Sequence, residues 1–258
     1  MKRIRVIPVL TMDEGKLVKT IRFKKPNYIG DPINSIKIFN DKEVDEIVVL
    51  DITDSQKKNF PNYKLIEEMA SECFMPLAYG GAIKTLEEAK ILFSLGVEKI
   101  ILNSILYKNM NIITEIAECY GSQSVVVCMD VKKNFFGSTL PYFVSASKKK
   151  DMDVVEFAKQ CEMLGAGEII LQNIDREGTF QGLDTNLINK IASQLTIPLV
   201  ACGGLNGISD MLSAVKAGAS AIAGSSFFIY KNNNSQSILI NYPTQSDLIE
   251  KLYTLVAD

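Results

Sequence analysis

The stretch GEIILQNIDREGTFQG, residues 167–182, predicts a buried strand that ends at a binding site. Its apolar run, residues 169–171, stops at the polar residues Asn173 and Asp175. The loop that follows contains Gly178, which has no side chain and leaves backbone N–H groups accessible to a ligand. A buried strand followed directly by such a loop is typical of a binding site at the end of a sheet.

The stretch has a counterpart in the first part of the chain. Three features recur after 122 or 123 residues: the apolar run that ends at Asp51 and at Asn173, the double glycines at 80–81 and 203–204, and Ser104 and Ser226. Three matches at nearly one spacing are hard to attribute to chance. They indicate two related halves, about 1–122 and 123–258.

Both halves alternate short apolar strands with helical patterns, which predicts parallel strands joined by helices. Eight such units in 258 residues predict a single (β/α)8 TIM barrel, whose functional face lies at the C-terminal ends of the strands. No Pro-, Ser- or Gly-rich linker divides the chain, so we expect one domain, 1–258. The predicted strands are 3–10, 46–50, 76–79, 99–102, 124–129, one within 167–173, 198–201 and 219–223.

Four other segments have predictable roles. Residues 12–31 form a polar loop that is long for a barrel and is a candidate lid. Gly137 and Ser138 favour the turn of a small hairpin over the barrel mouth. Residues 232–234 (NNN) predict a loop, and residues 245–256 a final helix.

The composition is that of a soluble globular protein. The formal net charge is −2 and the pI about 5.5, so no basic field favours nucleic acid or membranes. The basic run 148–150 is interpreted as a solvated loop. No apolar run approaches the roughly 18 residues of a membrane span, and Pro8 interrupts the only signal-like start. A cytoplasmic location is therefore expected.

Histidine is absent, and the five cysteines show no C-x-x-C spacing. These features argue against a zinc site and exclude nucleophiles that depend on histidine. Acid–base chemistry must use carboxylates, Lys, Tyr or Cys. No metal and no other cofactor is predicted.

Glycines and helix starts at the strand ends predict binding of a doubly phosphorylated ligand, because backbone N–H groups there bind dianions. The candidate residues are Gly81, Ala82, Asn103 and Ser104 in the first half, and Gly178, Gly204, Ser225 and Ser226 in the second. Asp51 and Asp175 are further candidates for the pocket.

At the opposite ends of the strands lie four charged residues: Arg5, Glu46, Lys99 and Glu168. Two acids and two bases can close a ring of ion pairs. Taken alone, the residues favour surface salt bridges at the bottom of the barrel.

Asp130, at the end of the fifth strand, is a candidate general acid or base. Its counterpart in the first half is residue 11, which is Thr. A mechanism with two carboxylates facing each other across the barrel is therefore not available in its simple form.

At these residues the chain resembles the cyclase subunit of imidazole glycerol phosphate synthase over nearly its whole length. The matching blocks are LDIT (50–53), GGAI (80–83), ILNS (101–104), GSQSVVV (121–127), GAGEI (165–169) and IDREGT (174–179). The resemblance implies a glutaminase partner docked on the N-terminal face of the barrel, which sends ammonia through the barrel to a bisphosphate substrate.

The resemblance also implies residue roles. Arg5, Glu46, Lys99 and Glu168 would gate the ammonia entrance, and Glu98 would lie at the docking face. Lys19, on the lid, would engage substrate. The two catalytic aspartates of the family correspond to Thr11 and Asp130, so one proton-transfer group, typically worth ~10²- to 10⁴-fold in rate, is missing.

A branch of the family shares further short sequence motifs with this chain: KT (19–20), FK (23–24), YIGDP (28–32), SECFMPL (71–77) and LINYP (239–243). The branch is similar to acetamidino-modification proteins of surface polysaccharide synthesis. There the barrel is thought to pass ammonia to a separate ATP-dependent sugar amidotransferase.

Three hypotheses follow. The first is an ammonia-conducting barrel in an assembly that amidates an N-acetylated sugar. The second is a working cyclase-lyase of histidine biosynthesis that uses Asp130 and Lys19. The third is a barrel that only scaffolds its partners.

Overall fold

The computed structural model describes residues 3–53, 60–143, 148–149, 152–231 and 237–256. Eight parallel strands close into a barrel, because β1 pairs with both β12 and β4 and the circle continues through β7 and β10. The barrel strands are β1 (Arg5–Asp13), β4 (Ile47–Asp51), β5 (Leu77–Gly80), β6 (Lys99–Leu102), β7 (Val125–Lys133), β10 (Glu168–Asn173), β11 (Leu199–Cys202) and β12 (Ala221–Gly224). The predicted (β/α)8 barrel is confirmed.

Helices cover the outside of the barrel between the strands. They are α1 (Pro32–Asp41), α2 (Tyr63–Glu72), α3 (Leu86–Ser94), α4 (Ile112–Tyr120), α5 (Val154–Met163), α6 (Thr185–Ala192), α7 (Ile208–Lys216) and α8 (Ser226–Ile229). Local sequence explains where they start: Asp31 caps α1 ahead of Pro32, and Thr85 forms a capping box with Glu88 at α3.

The predicted polar loop 12–31 is wrong in its secondary structure. It is a β-hairpin of β2 (Lys16–Ile21) and β3 (Lys24–Gly30), which continues antiparallel from β1. Its apolar residues Leu17 and Val18 are buried. The hairpin lies at the barrel mouth, where a lid was expected.

The other half of the barrel carries a hairpin at the matching place. Strand β7 continues into β8 (Thr139–Phe143), and the turn includes Gly137, as predicted. A short strand, β9 (Lys148–Lys149), pairs with β8. Both β1 and β7 are longer than predicted because each extends into its hairpin.

The C-terminal helix predicted for 245–256 is present, but a π-helical turn interrupts it. The segments are α9 (Gln245–Leu248), the π-helical turn Ile249–Tyr253 and α10 (Thr254–Val256). The predicted loop at 232–234 and Lys150 lie outside the described residues.

Two apolar cores follow from the period of two along the barrel strands. One fills the layer between strands and helices. The other fills the lumen and contains residues of all eight barrel strands: Ile7, Val9, Val48, Ala78, Ile101, Val126, Cys128, Ile170, Val200, Cys202, Ala221 and Ala223.

Candidate functional site

Four charged side chains form a closed ring at the N-terminal end of the lumen. Arg5 Nη1 lies 2.6 Å from a carboxylate oxygen of Glu46, and the same guanidinium bonds to Glu168. Lys99 Nζ lies 2.9 Å from Glu46 and 3.1 Å from Glu168. Each cation therefore bridges both carboxylates, as the sequence pattern allows.

The ring is largely removed from water, so the surface salt bridges that the four residues alone favoured are a wrong prediction. The carboxylates of Glu46 and Glu168 are buried, whereas Arg5 and Lys99 are half-buried. Burial alone would lower the pKa of Arg5, but the hydrogen bonds and charges of Glu168 and Glu46 outweigh it and raise the pKa. Paired buried charges of this kind hold a defined geometry, and loss of one partner leaves a buried charge uncompensated.

Asp130 lies at the opposite end of the lumen, on the same face of β7 as Cys128. Burial is the main cause that raises its pKa to about 7, and the charge of Glu177 adds to it. Hydrogen bonds with Asn103 and Cys128 act in the other direction. A carboxyl group with this pKa can donate or accept a proton near neutral pH.

Thr11 occupies the matching position on β1, opposite Leu50 of β4 in the parallel register. Its backbone pairs with Val18 at the start of the hairpin. The two positions expected to carry a carboxylate pair therefore hold one carboxyl group, Asp130, and one hydroxyl.

Lys19 does not extend into solvent from the lid. It is buried and forms an ion pair with Glu177, from the loop after β10. Gln172 Nε2 donates to the same carboxylate over 2.9 Å. Sequence reasoning missed Glu177 and Gln172 as site residues, although Gln172 continues the inward alternation of Glu168 and Ile170.

The predicted phosphate residues of the second half come together around one cleft. Gly178, Gly204, Ser225 and Ser226 line it. The Ser226 hydroxyl is buried and has no hydrogen-bond partner among the described residues. An unsatisfied donor beside glycine N–H groups suits an anionic ligand.

The candidate phosphate residues of the first half follow the adjacent strands β5 and β6. Gly81 has φ +146°, and a Cβ there would lie 2.6 Å from the Cβ of Asp51, so only glycine fits. Ala82 has a left-handed backbone, with φ +54°. Asn103 hydrogen-bonds to Asp130, and Ser104 begins a short 3₁₀ helix.

The remaining candidates lie in three different places. Asp51 faces the outer layer, where Tyr79 donates to it over 3.3 Å, and lines a separate cleft with Tyr63. Asp175 accepts from the backbone of Lys133 over 2.8 Å and so supports the second hairpin. Glu98 is exposed at the N-terminal end of β6, the face predicted for docking.

Comparison with known proteins decides the family. Residues 5–233 match the family described as histidine biosynthesis protein. The chain belongs to this family. A closed parallel barrel with a repeated half is the fold expected from the resemblance to imidazole glycerol phosphate synthase.

Individual relatives agree with the family. The chain is 47% identical to a protein of Vibrio vulnificus named "putative imidazole glycerol phosphate synthase subunit", over 96% of this chain and 95% of the relative. It is 37% identical to the imidazole glycerol phosphate synthase subunit HisF of Petrotoga mobilis, over 88% and 90%. The corresponding subunit of Pyrococcus furiosus is 38% identical over the same shares. The chain is thus a HisF-like family member.

None of the helices in the described ranges combines the length and apolarity needed to cross a membrane.

Proposed function

We propose that the chain is the barrel subunit of a glutamine-dependent amidotransferase assembly. It takes ammonia from a glutaminase at its N-terminal face and delivers it to a second enzyme, which amidinates an N-acetylated sugar of a surface polysaccharide. The proposal rests on one combination: the ring of Arg5, Glu46, Lys99 and Glu168 is complete, while Thr11 replaces the first carboxylate.

The lumen supports conduction. Between the ring and Asp130 its walls are apolar side chains from all eight strands. Neutral ammonia passes between such apolar side chains more readily than an ammonium ion, because desolvation of a charge costs far more than desolvation of a neutral amine. The ring is the charged closure through which ammonia would enter.

The mouth of the barrel supports a reduced role in chemistry. The Thr11 hydroxyl does not ionise near neutral pH and cannot act as a base in place of a carboxylate. Lys19, which would engage substrate in a working cyclase, is instead paired with the carboxylate of Glu177. Both features weaken cyclisation and leave the lumen unaffected.

The alternative is an active cyclase subunit of imidazole glycerol phosphate synthase. The pKa of Asp130, raised to about 7 mainly by burial, and the cleft with the unpaired Ser226 hydroxyl favour it. In this reading Lys19 leaves Glu177 when substrate binds. A third reading, a barrel that only scaffolds its partners, predicts that Lys99→Ala leaves sugar amidination unchanged while the assembly stays intact.

The deciding experiment supplies the bisphosphate substrate of imidazole glycerol phosphate synthase with excess ammonium salt. Ammonium bypasses the glutaminase, so only the chemistry of the barrel is measured. We expect negligible turnover by the natural protein. The same assay on the Thr11→Asp variant tests whether the missing carboxylate is the cause. Turnover near ~1 per second or above by the natural protein would overturn the conduit proposal in favour of the cyclase.

A further inference from the structure

The tip of the second hairpin carries two adjacent phenylalanines that the chain leaves in water. Phe135 is 98% exposed and Phe136 89% exposed. Their rings contact only at an edge, with centroids 5.8 Å apart at an angle of 86°. Building on the proposed function, we infer that this tip anchors the ammonia-consuming sugar amidotransferase on the C-terminal face of the barrel.

Hydrogen bonds close the turn at the tip. Asn134 N–H donates to Ser138 over 2.8 Å, and the Asn134 side chain accepts from the Ser138 N–H over 2.9 Å. At the base of the hairpin, the buried Phe143 packs against Phe157 of α5 with ring centroids 5.8 Å apart. The exposure of the two rings therefore belongs to an ordered turn, and little conformational entropy is lost when a partner covers it.

The energetics favour an anchor. A phenylalanine buries about 150–250 Å² when covered, and removing such a side chain from water is worth about 1.5–3 kcal/mol. Two neighbouring rings make a compact apolar surface of the kind that forms the centre of an interface. Within the described chain, the rings contact each other but remain almost fully solvated.

The position of the tip indicates which partner it serves. The hairpin extends β7, the strand that carries Asp130 at the end of the lumen remote from the charged ring. An enzyme docked there would meet ammonia as it leaves, whereas a glutaminase belongs at the other face. Residues 132–143 contain two lysines and no acidic residue, so the complementary partner surface is an apolar socket with an acidic rim.

Like charges argue against a second copy of the chain as the occupant. Lys133 is exposed beside the tip, and Lys132 lies with its Nζ 5.2 Å from the ring centre of Tyr142. Two hairpins docked tip to tip would bring these lysines together without a compensating acid from the same stretch. A partner with carboxylates at the rim removes that repulsion.

The test reconstitutes the full chain with the glutaminase and the sugar amidotransferase of the same organism. The double variant Phe135→Ser/Phe136→Ser is compared with Ile91→Ser, which removes an apolar side chain that is 42% exposed in the interior of α3, on the side of the barrel. We expect the double variant to reduce glutamine-driven amidination at least about tenfold, by loss of anchor residues. Ammonium-driven amidination, glutamine hydrolysis and the control variant stay unchanged.

The outcomes separate the two proposals. Retention of glutamine-driven amidination by the double variant overturns the anchor and leaves the conduit intact. Absence of glutamine-driven amidination with the natural chain, when ammonium supports the reaction, overturns the conduit itself. Sedimentation of the chain alone is the third measurement: a natural dimer that becomes a monomer in the double variant assigns the tip to a second copy and overturns the anchor.

Discussion

Lys19 and Glu177 form an ion pair across the mouth of the barrel, with side chains only 2% and 7% exposed. Lys19 comes from the hairpin after β1, and Glu177 from the loop after β10. The backbone reinforces the link, because Arg22 N–H donates to the Glu177 carbonyl over 2.9 Å. The hairpin is thus fastened to the opposite half of the barrel by a buried pair.

Replacement of one partner should be costly. We expect Glu177→Gln to lower the free energy of unfolding by about 3–5 kcal/mol, because the Lys19 ammonium stays buried without its carboxylate. Urea denaturation at neutral pH measures this. The double variant Lys19→Met/Glu177→Leu is the control and should lose less than the single variant; a larger loss would show that the pair is not the source of the effect.

Asp130 should make stability depend on pH. Burial raises its pKa from an ordinary 3.8 to about 7, so the folded protein binds a proton that the unfolded chain has released. The contribution of Asp130 to stability is present below about pH 4 and is lost as pH rises to about 7, by on the order of 4 kcal/mol.

The variant Asp130→Asn should therefore gain stability relative to the natural protein at pH 8, and the difference should shrink at pH 5. Urea denaturation at both values measures it. Asp153→Asn is the control, because hydrogen bonding to Lys190 lowers the pKa of Asp153 and the expected sign is opposite. A pH-independent difference for Asp130→Asn would contradict the assignment.

Gly81→Ala should destabilise the barrel by about 3 kcal/mol or more, because the new Cβ collides with Asp51 and the backbone conformation is unfavourable for alanine. Thermal and urea denaturation measure the effect. Gly137→Ala is the matched control: it also has a positive φ, but no atom lies within 4 Å of its Cβ position, and about 1–2 kcal/mol is expected. Equal losses would show that backbone conformation alone matters.

Ser226→Ala should separate stability from ligand binding. The Ser226 hydroxyl is buried and unpaired, so its removal should raise the free energy of unfolding by about 1 kcal/mol. Binding of inorganic phosphate, followed by ³¹P NMR, should weaken at the same time. Ser225→Ala tests the neighbouring hydroxyl in the same cleft. Unchanged phosphate affinity in both variants would contradict an anion site there.

Part of the site was predictable because it depends on strand geometry alone. Side chains two residues apart point to the same face of a strand, and Arg5, Glu46, Lys99 and Glu168 share the faces of residues that line the lumen. The same reasoning places Asp130 and Thr11 at the other end. The four charged residues alone favoured surface salt bridges, and their role as a ring at the lumen was implied by the family resemblance. The repeat of the double glycine 80–81 at 203–204 predicted one part of the cleft that Gly178, Gly204, Ser225 and Ser226 line.

Other parts required the assembled molecule. Lys19 and Glu177 are separated by 158 residues, and no local pattern relates them. Their pairing arises because the segment after β1 is a hairpin that crosses the mouth, which its polar composition did not reveal. Asp51 was expected in the pocket but faces the outer layer, because it still belongs to β4 and shares the strand face of Ile47 and Val49.

The sequence by itself determined the barrel and indicated two related halves, since apolar periodicity and repeated glycines act through local geometry. Only the tertiary structure decided that Lys19 is paired, that Ser226 is not, and that Phe135 and Phe136 stay in water. The physical reason is that burial and pairing are properties of surfaces brought together by the fold, and each depends on residues distant in the chain.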